Sequence, residues 1–141
     1  MKEYEIDNIR NIGIVAHGGA GKTSLAEAIL FDSKAIDRLG KVLDGSTVMD
    51  YDPDEIERKI TLSSSLAFCE WKNYKINMID TPGYQNFIAD TQGCMRVMDG
   101  VVVIVSAISG VKLETEKVWG WADEFGIPRI VFVNKMDQER A

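Results

Sequence analysis

Near the amino terminus, Ala16-His17-Gly18-Gly19-Ala20-Gly21-Lys22-Thr23 carries the residue types and spacing that phosphate binding requires. Gly18, Gly19 and Gly21 let the backbone turn sharply and bring its N–H groups against phosphate oxygens. Lys22 can reach the outer phosphates, and the hydroxyl of Thr23 is a hard oxygen ligand suited to Mg²⁺. Ser24, one residue on, extends the polar lining of the same turn. Two further loops carry chemistry. Asp80-Thr81-Pro82-Gly83 offers a carboxyl that can share the Mg²⁺ with Thr23, directly or through water. Asn134-Lys135-Met136-Asp137 carries the base-reading signal. An ionised Asp137 only accepts hydrogen bonds. Guanine offers two adjacent donors to it, whereas adenine presents an acceptor there, a mismatch of the kind that supports roughly 10⁴-fold selectivity. Lys135 can lay its stem along the base and Asn134 can tie this loop to the phosphate loop.

These residues need elements to bring them together. Ile12-Gly13-Ile14-Val15 reads as a strand before the glycine-rich turn, and Leu25, Ala26, Ile29 and Leu30 recur at helical spacing after it. The stretch from Asp32 to Arg58 is polar and irregular, with six acidic residues between Asp44 and Glu57, and is expected to be a functional loop or disordered. Leu62–Trp71 and Tyr74–Ile79 read as strands joined at Lys72-Asn73, most simply a hairpin. A helix is expected from about Asn86 to Met98, with Phe87, Ile88, Thr91, Met95 and Met98 on one face. Val101–Val105 reads as a strand buried on both faces. A further helix follows to about Phe125, burying Val118, Trp121, Ala122 and Phe125, leaving Trp119 partly exposed and closing at Gly126. Ile130–Val133 is the last strand and delivers Asn134. Strands alternating with helices predict an α/β fold with a mainly parallel sheet. In such sheets the loops after the strands lie along one edge, where ligands bind.

Composition narrows the field. The 141 residues are 45% hydrophobic and 27% charged, which is enough for one domain with a core. Sixteen basic and 22 acidic residues give a net charge of −6, so little direct nucleic-acid binding is expected. No apolar run approaches the ~20 residues of a membrane span, and the start lacks a signal-peptide core. Cys69 and Cys94 stand 25 positions apart without a Cys-x-x-Cys pattern, which favours reduced thiols in a cytoplasmic protein.

Taken together, Ile9–His17, Asp80-Thr81-Pro82-Gly83 and Asn134-Lys135-Met136-Asp137 resemble the GTP-binding domain of translational GTPases, most closely the elongation factor G branch. Met49-Asp50-Tyr51, Met95–Gly100, Gly110-Val111, Glu116–Trp119 and Pro128–Val133 extend the likeness over nearly the whole chain. The resemblance implies a three-layer P-loop NTPase fold (a G domain) that binds GTP or GDP with Mg²⁺. It places His17 through Ser24 with Asn134, Lys135 and Asp137 at the nucleotide, and Thr23, Thr61 and Asp80 at the metal. Thr61 and the segment from Asp80 to about Thr91 become switches that sense the γ-phosphate. The reaction-centre candidates are Thr61, Gly83 and Tyr84. The family's domain continues past Asp137 into a helix, a strand and a last guanine-contacting loop, then further domains. Residues 1–141 are therefore expected to be part of the G domain of a larger, ribosome-associated factor. Loss of the neighbouring strand predicts self-association along Ile130–Val133, or a weakly protected segment from Pro128 to Ala141.

Four positions depart from the family's pattern. Gly18 and Gly19 replace Ile and Asp, Lys59 stands where glycine is usual, and Tyr84 replaces the histidine that aligns the attacking water. These departures predict a divergent paralogue with slow hydrolysis in which Gly19 and Tyr84 act as a unit. The alternative is a nucleotide-gated binding module with little or no hydrolysis. An ATP-using phosphotransferase would leave Asp137 unexplained.

Overall fold

The computed structural model describes residues 2–139 and 141. Five strands form one sheet: β1 (Ile9–Val15), β2 (Ser65–Trp71), β3 (Tyr74–Asp80), β4 (Gly100–Ser106) and β5 (Arg129–Asn134). Their spatial order is β2-β3-β1-β4-β5, with only the β2–β3 pair antiparallel. The β2–β3 connection is the expected hairpin, and Lys72 and Asn73 both take positive φ, which matches the twist of the paired strands. Four α-helices accompany the sheet: α1 (Lys22–Asp32), α2 (Pro53–Arg58), α3 (Ile88–Met95) and α4 (Leu113–Glu124).

The core lies on both faces of the sheet. On one face α1 packs Ala26 and Leu30 against Ile14, Met78 and Ile104, joined by Met49 from the long loop. On the other, Met95 of α3 and Val118 and Ala122 of α4 meet Val15, Val101 and Val103. Central β4 is apolar on both faces because both are covered. Helix, sheet and helix make the three-layer α/β fold that the sequence predicts. Past α4, Gly126 takes φ 65° and the Ile127 N–H reaches back to the Ala122 carbonyl at 2.8 Å, closing the helix as expected. Trp119 is partly exposed beneath the Arg129 guanidinium, 4.0 Å from the ring centre.

Some boundaries differ from the sequence reading. The strand expected from Leu62 begins at Ser65, because the amides of Leu62 and Ser63 bond instead to the Glu55 carboxyl. The helix expected over Asn86–Met98 is a 3₁₀ turn at Gln85–Phe87 followed by α3, which ends at Met95. The segment read as irregular contains α2, opened by Asp52 accepting from the Asp54 amide with Pro53 at the first helical position. Among the described residues no helix is long and apolar enough to cross a membrane.

The long loop between α1 and α2 is fastened from below. Glu27 on α1 is fully buried, and its carboxyl accepts the amides of both Val48 and Met49. Removing it strands a buried donor at Met49 and a part-buried one at Val48, each worth about 1–3 kcal/mol when left unpaired. We expect Glu27→Ala to lower the unfolding free energy by about 3 kcal/mol in urea titration, and Glu27→Gln, which keeps an acceptor oxygen, to lose less. Equal stability of Glu27→Ala and the parent chain would show that the fastening is dispensable.

Candidate functional site

The parallel strands end at one edge, and that edge carries the chemistry. β1 runs into the loop 16–21, β3 ends on Asp80, and β5 ends on Asn134. An open cleft of about 640 Å³ lies there, lined by Gly18, Lys22 and Thr23 of the phosphate loop, Asp50 and Thr61 of the long loop, and Tyr84. Gly19, Gly21, Ser24, Gly83 and Lys135 also border it. Residues from four separated segments thus meet in one place.

At its floor is a chain of buried oxygens. Thr23 donates from Oγ1 to Asp80 Oδ2 at 2.7 Å and lies 3.0 Å from Thr61 Oγ1, which donates to Asp50 Oδ1 at 2.8 Å. Asp50 Oδ2 and Asp80 Oδ1 are buried without a protein partner. Two carboxyls and two hydroxyls are a hard donor set that fits Mg²⁺. Among the described residues no group of three or more His, Cys, Asp or Glu could hold a metal, so the remaining ligands would come from phosphate and water. Thr61 is brought in by α2: Glu55 accepts from the amides of Leu62 and Ser63, and Asp90 of α3 accepts from the Ser64 amide at 2.7 Å.

Lys22 is buried, its ammonium donating to the carbonyls of His17 at 3.0 Å and Ala16 at 3.4 Å. Burial pulls its pKa down, opposed by the charges of Asp80 and Asp50. The imidazole of His17 turns away from the cleft, its Nδ1 lying 3.4 Å from Thr115 of α4, and burial with nearby lysines holds its pKa down. At this site His17 contributes backbone rather than side chain. Gly83 is held against the phosphate loop: a β-carbon there would meet the Lys22 ammonium and come within 2.8 Å of the Gly18 nitrogen. Only glycine allows that approach.

The third loop is tied to the first. Asn134 donates to the Ala20 carbonyl at 2.9 Å and accepts from the Lys135 amide at 2.9 Å, while the Lys135 ammonium donates to the Gly19 carbonyl at 2.7 Å. Asp137 stands exposed on the turn beyond. A β-carbon on Gly19, at φ 76°, would meet nothing within 4 Å. Sequence reasoning missed Asp50, Glu55 and Glu27. Asp50 fell in a segment quoted only for its likeness, and the Asp52-Pro53-Asp54-Glu55 cap was the available sign of the helix that carries Glu55.

Comparison with known proteins agrees with this geometry. Residues 7–141 match the family described as the elongation factor Tu GTP binding domain. Elongation factor G 1 of Geobacter sulfurreducens is 46% identical over 138 residues, covering 98% of this chain and 20% of the relative. Elongation factor G 2 of Syntrophus aciditrophicus is 47% identical over 133 residues, covering 94% and 20%. The chain therefore spans about a fifth of the length of these relatives. A crystal structure of a Thermus thermophilus protein superposes with TM-score 0.90 at 35% identity, over 94% of this chain and 20% of that one. The translation elongation factor SelB of Methanococcus maripaludis, solved with the GTP analogue GPPNHP, gives TM-score 0.68 at 26% identity, over 97% and 24%.

The buried carboxyls make the free chain sensitive to pH. Burial raises the Asp80 carboxyl from 3.8 to about 7, against the Thr23 hydrogen bond and the Lys22 charge, and burial also raises Asp50. A carboxyl raised by folding holds a proton in the folded chain that it has lost in the unfolded one. Stability therefore falls as pH climbs from the ordinary carboxyl range through about 7. Without nucleotide or metal, the urea midpoint should be lower at pH 7.5 than at pH 5, and Asp80→Asn should flatten that dependence. An unchanged slope in Asp80→Asn would exclude Asp80 as its source.

Proposed function

The chain belongs to the elongation factor Tu GTP-binding domain family, and from that premise we propose that it is part of the G domain of a larger, multidomain, elongation-factor-G-like factor. In this reading it is a switch in the cytoplasm that binds GTP or GDP with Mg²⁺ and hydrolyses GTP slowly, with stimulation by the ribosome acting through the whole factor. The observation that carries the reading is the run of contacts Asp80–Thr23–Thr61–Asp50, which links the phosphate loop to both switch segments. Thr23, Thr61 and Asp80 would hold Mg²⁺, which when bound neutralises charge on the outer phosphate oxygens. The bond from Thr23 to Thr61 supports a γ-phosphate sensor, because Thr61 arrives on a loop that a ligand can reposition.

Base reading falls to Asp137. Asp137→Asn replaces an acceptor oxygen with a donor amide, so GTP affinity should fall by at least tenfold and preference should turn toward XTP, whose C2 carries an oxygen. Calorimetry on one chain with GTP, XTP and ATP reads this directly, and ATP bound as tightly as GTP would remove the guanine reading.

The second reading, a module that holds nucleotide with little hydrolysis, is favoured by one observation: Tyr84 occupies the position of the family's water-aligning histidine. Single-turnover hydrolysis of GTP with and without ribosomes separates the two.

The open edge of the sheet supports self-association. Ile130, Val131, Phe132 and Val133 of β5 are 40–64% exposed, among the described residues the strand pairs only with β4, and it carries neither charge nor proline over those four residues. Such an edge invites a second chain. Sedimentation should show dimers or larger species that Val131→Lys reduces, whereas a parent chain monomeric at every concentration would refute edge pairing.

A further inference from the structure

Gly18 lies directly beneath Tyr84. A β-carbon on Gly18 would sit 2.7 Å from both Cε1 and Cζ of the phenol ring and 2.9 Å from Cδ1. Ordinary carbon contacts are about 3.5–4.0 Å, so no side chain fits there while the ring stays. The conformation does not call for glycine. Gly19 and Gly21 take positive φ, but Gly18 does not, so no left-handed φ reserves its place for glycine. The demand for glycine comes from the ring. Beside it, the Gly83 backbone presses on the same loop, where an added β-carbon would meet the Gly18 nitrogen and the His17 carbonyl carbon at 2.8 Å. Tyr84 thus begins on a backbone already fixed against the phosphate loop, and both Gly18 and Tyr84 border the phosphate cleft.

We propose that Gly18 is a positioning residue for Tyr84: its bare α-carbon seats the hydroxyl-bearing half of the ring and holds the phenol over the phosphate cleft. The inference rests on the hydrolytic reading above and gives Tyr84 its part in it. The phenol hydroxyl, a donor and an acceptor, orients the water whose oxygen bonds to the γ-phosphorus. As that bond forms, the bond from the γ-phosphorus to the bridging oxygen breaks, the electron pair leaves on the β-phosphate of GDP, and the water proton passes to the released phosphate. The steric partner of Tyr84 in the phosphate loop is therefore Gly18.

The test combines position with rate. With 3-fluorotyrosine at all four tyrosines, Tyr84→Phe assigns the Tyr84 fluorine resonance by its loss. In the GTP-analogue complex, Gly18→Ala should move that resonance and leave the other three in place. In the unlabelled chain at saturating GTP, Gly18→Ala should slow single-turnover hydrolysis roughly tenfold or more, as displacements of about 1 Å do. In a Tyr84→Ala background the same substitution should cost nothing further, since residues acting as a unit are non-additive. If Gly18→Ala alone does not fold, the double variant should, because the ring is gone; a double variant that also fails overturns the pair. An unmoved resonance, or equal slowing with and without the ring, overturns it as well. A moved resonance with unchanged hydrolysis leaves the steric pair standing and overturns the role given to the hydroxyl.

Discussion

The structure turns on a problem of buried charge. Lys22, Asp50 and Asp80 are taken out of water within one small region, and among the described residues neither carboxyl forms an ion pair with the lysine. Instead each carboxyl accepts one threonine hydroxyl and keeps a second oxygen buried without a partner. Desolvation therefore outweighs the attractive neighbours: it raises both carboxyls and lowers the lysine. Such a site is costly when free and gains from any ligand that supplies the missing partners, anionic oxygens for Lys22 and a cation for the carboxyls. Binding and stability are consequently linked, because a ligand held only by the folded chain stabilises it by mass action.

The rest of the fold keeps that unfavourable cluster in shape. β1 and β3 pair in parallel, with Ile14 opposite Asp80, so the phosphate loop and the carboxyl leave adjacent strands side by side. Thr81, next to Asp80, bonds its hydroxyl to the Ile14 carbonyl at 2.8 Å and locks the two strand ends together. The long loop has no strand to fix it, and three acidic side chains do so instead. Glu27 holds the amides at 48 and 49 just ahead of Asp50, Glu55 holds those at 62 and 63 just behind Thr61, and Asp90 holds that of Ser64. Part of the acidity of this chain therefore serves as internal acceptors for backbone N–H groups.

That distinction marks how far the sequence could be read. The three strand-ending loops were legible because phosphate and base recognition need particular residue types at fixed local spacing, and each follows an apolar run. The hairpin at Lys72-Asn73 and the cap at Gly126 were legible for the same local reason. Glu27, Asp50 and Glu55 were not, since their partners lie 21, 11 and 7 residues away and nothing in the local pattern names them. Helix α2 is only six residues long, too short for an apolar period, and its one sign was a capping sequence lost among neighbouring acids. Gly18 shows the converse. Its place in the motif was visible, but its reason, a phenol ring arriving from position 84, exists only in three dimensions.

Lys59 adds a last constraint on the same cleft. It caps α2 at φ 57°, its N–H on the Glu55 carbonyl, a left-handed conformation that glycine adopts freely and that costs other residues roughly 1–2 kcal/mol. The lysine held there at that expense borders the phosphate cleft, two residues before Thr61. Gly19, across the cleft, carries no carboxyl where the resembling family has Asp. Set against that family's usual residues, the two exchanges each add one positive unit, +1 for Asp to Gly and +1 for Gly to Lys. Relative to that pattern the two exchanges together shift the formal charge beside the cleft by +2. At a few ångströms across a partly solvated cleft, even a screened positive charge is worth about 1 kcal/mol or more to a phosphate. Lys59 so sets the strain of a left-handed backbone against the positive charge that it brings to a residue lining the cleft.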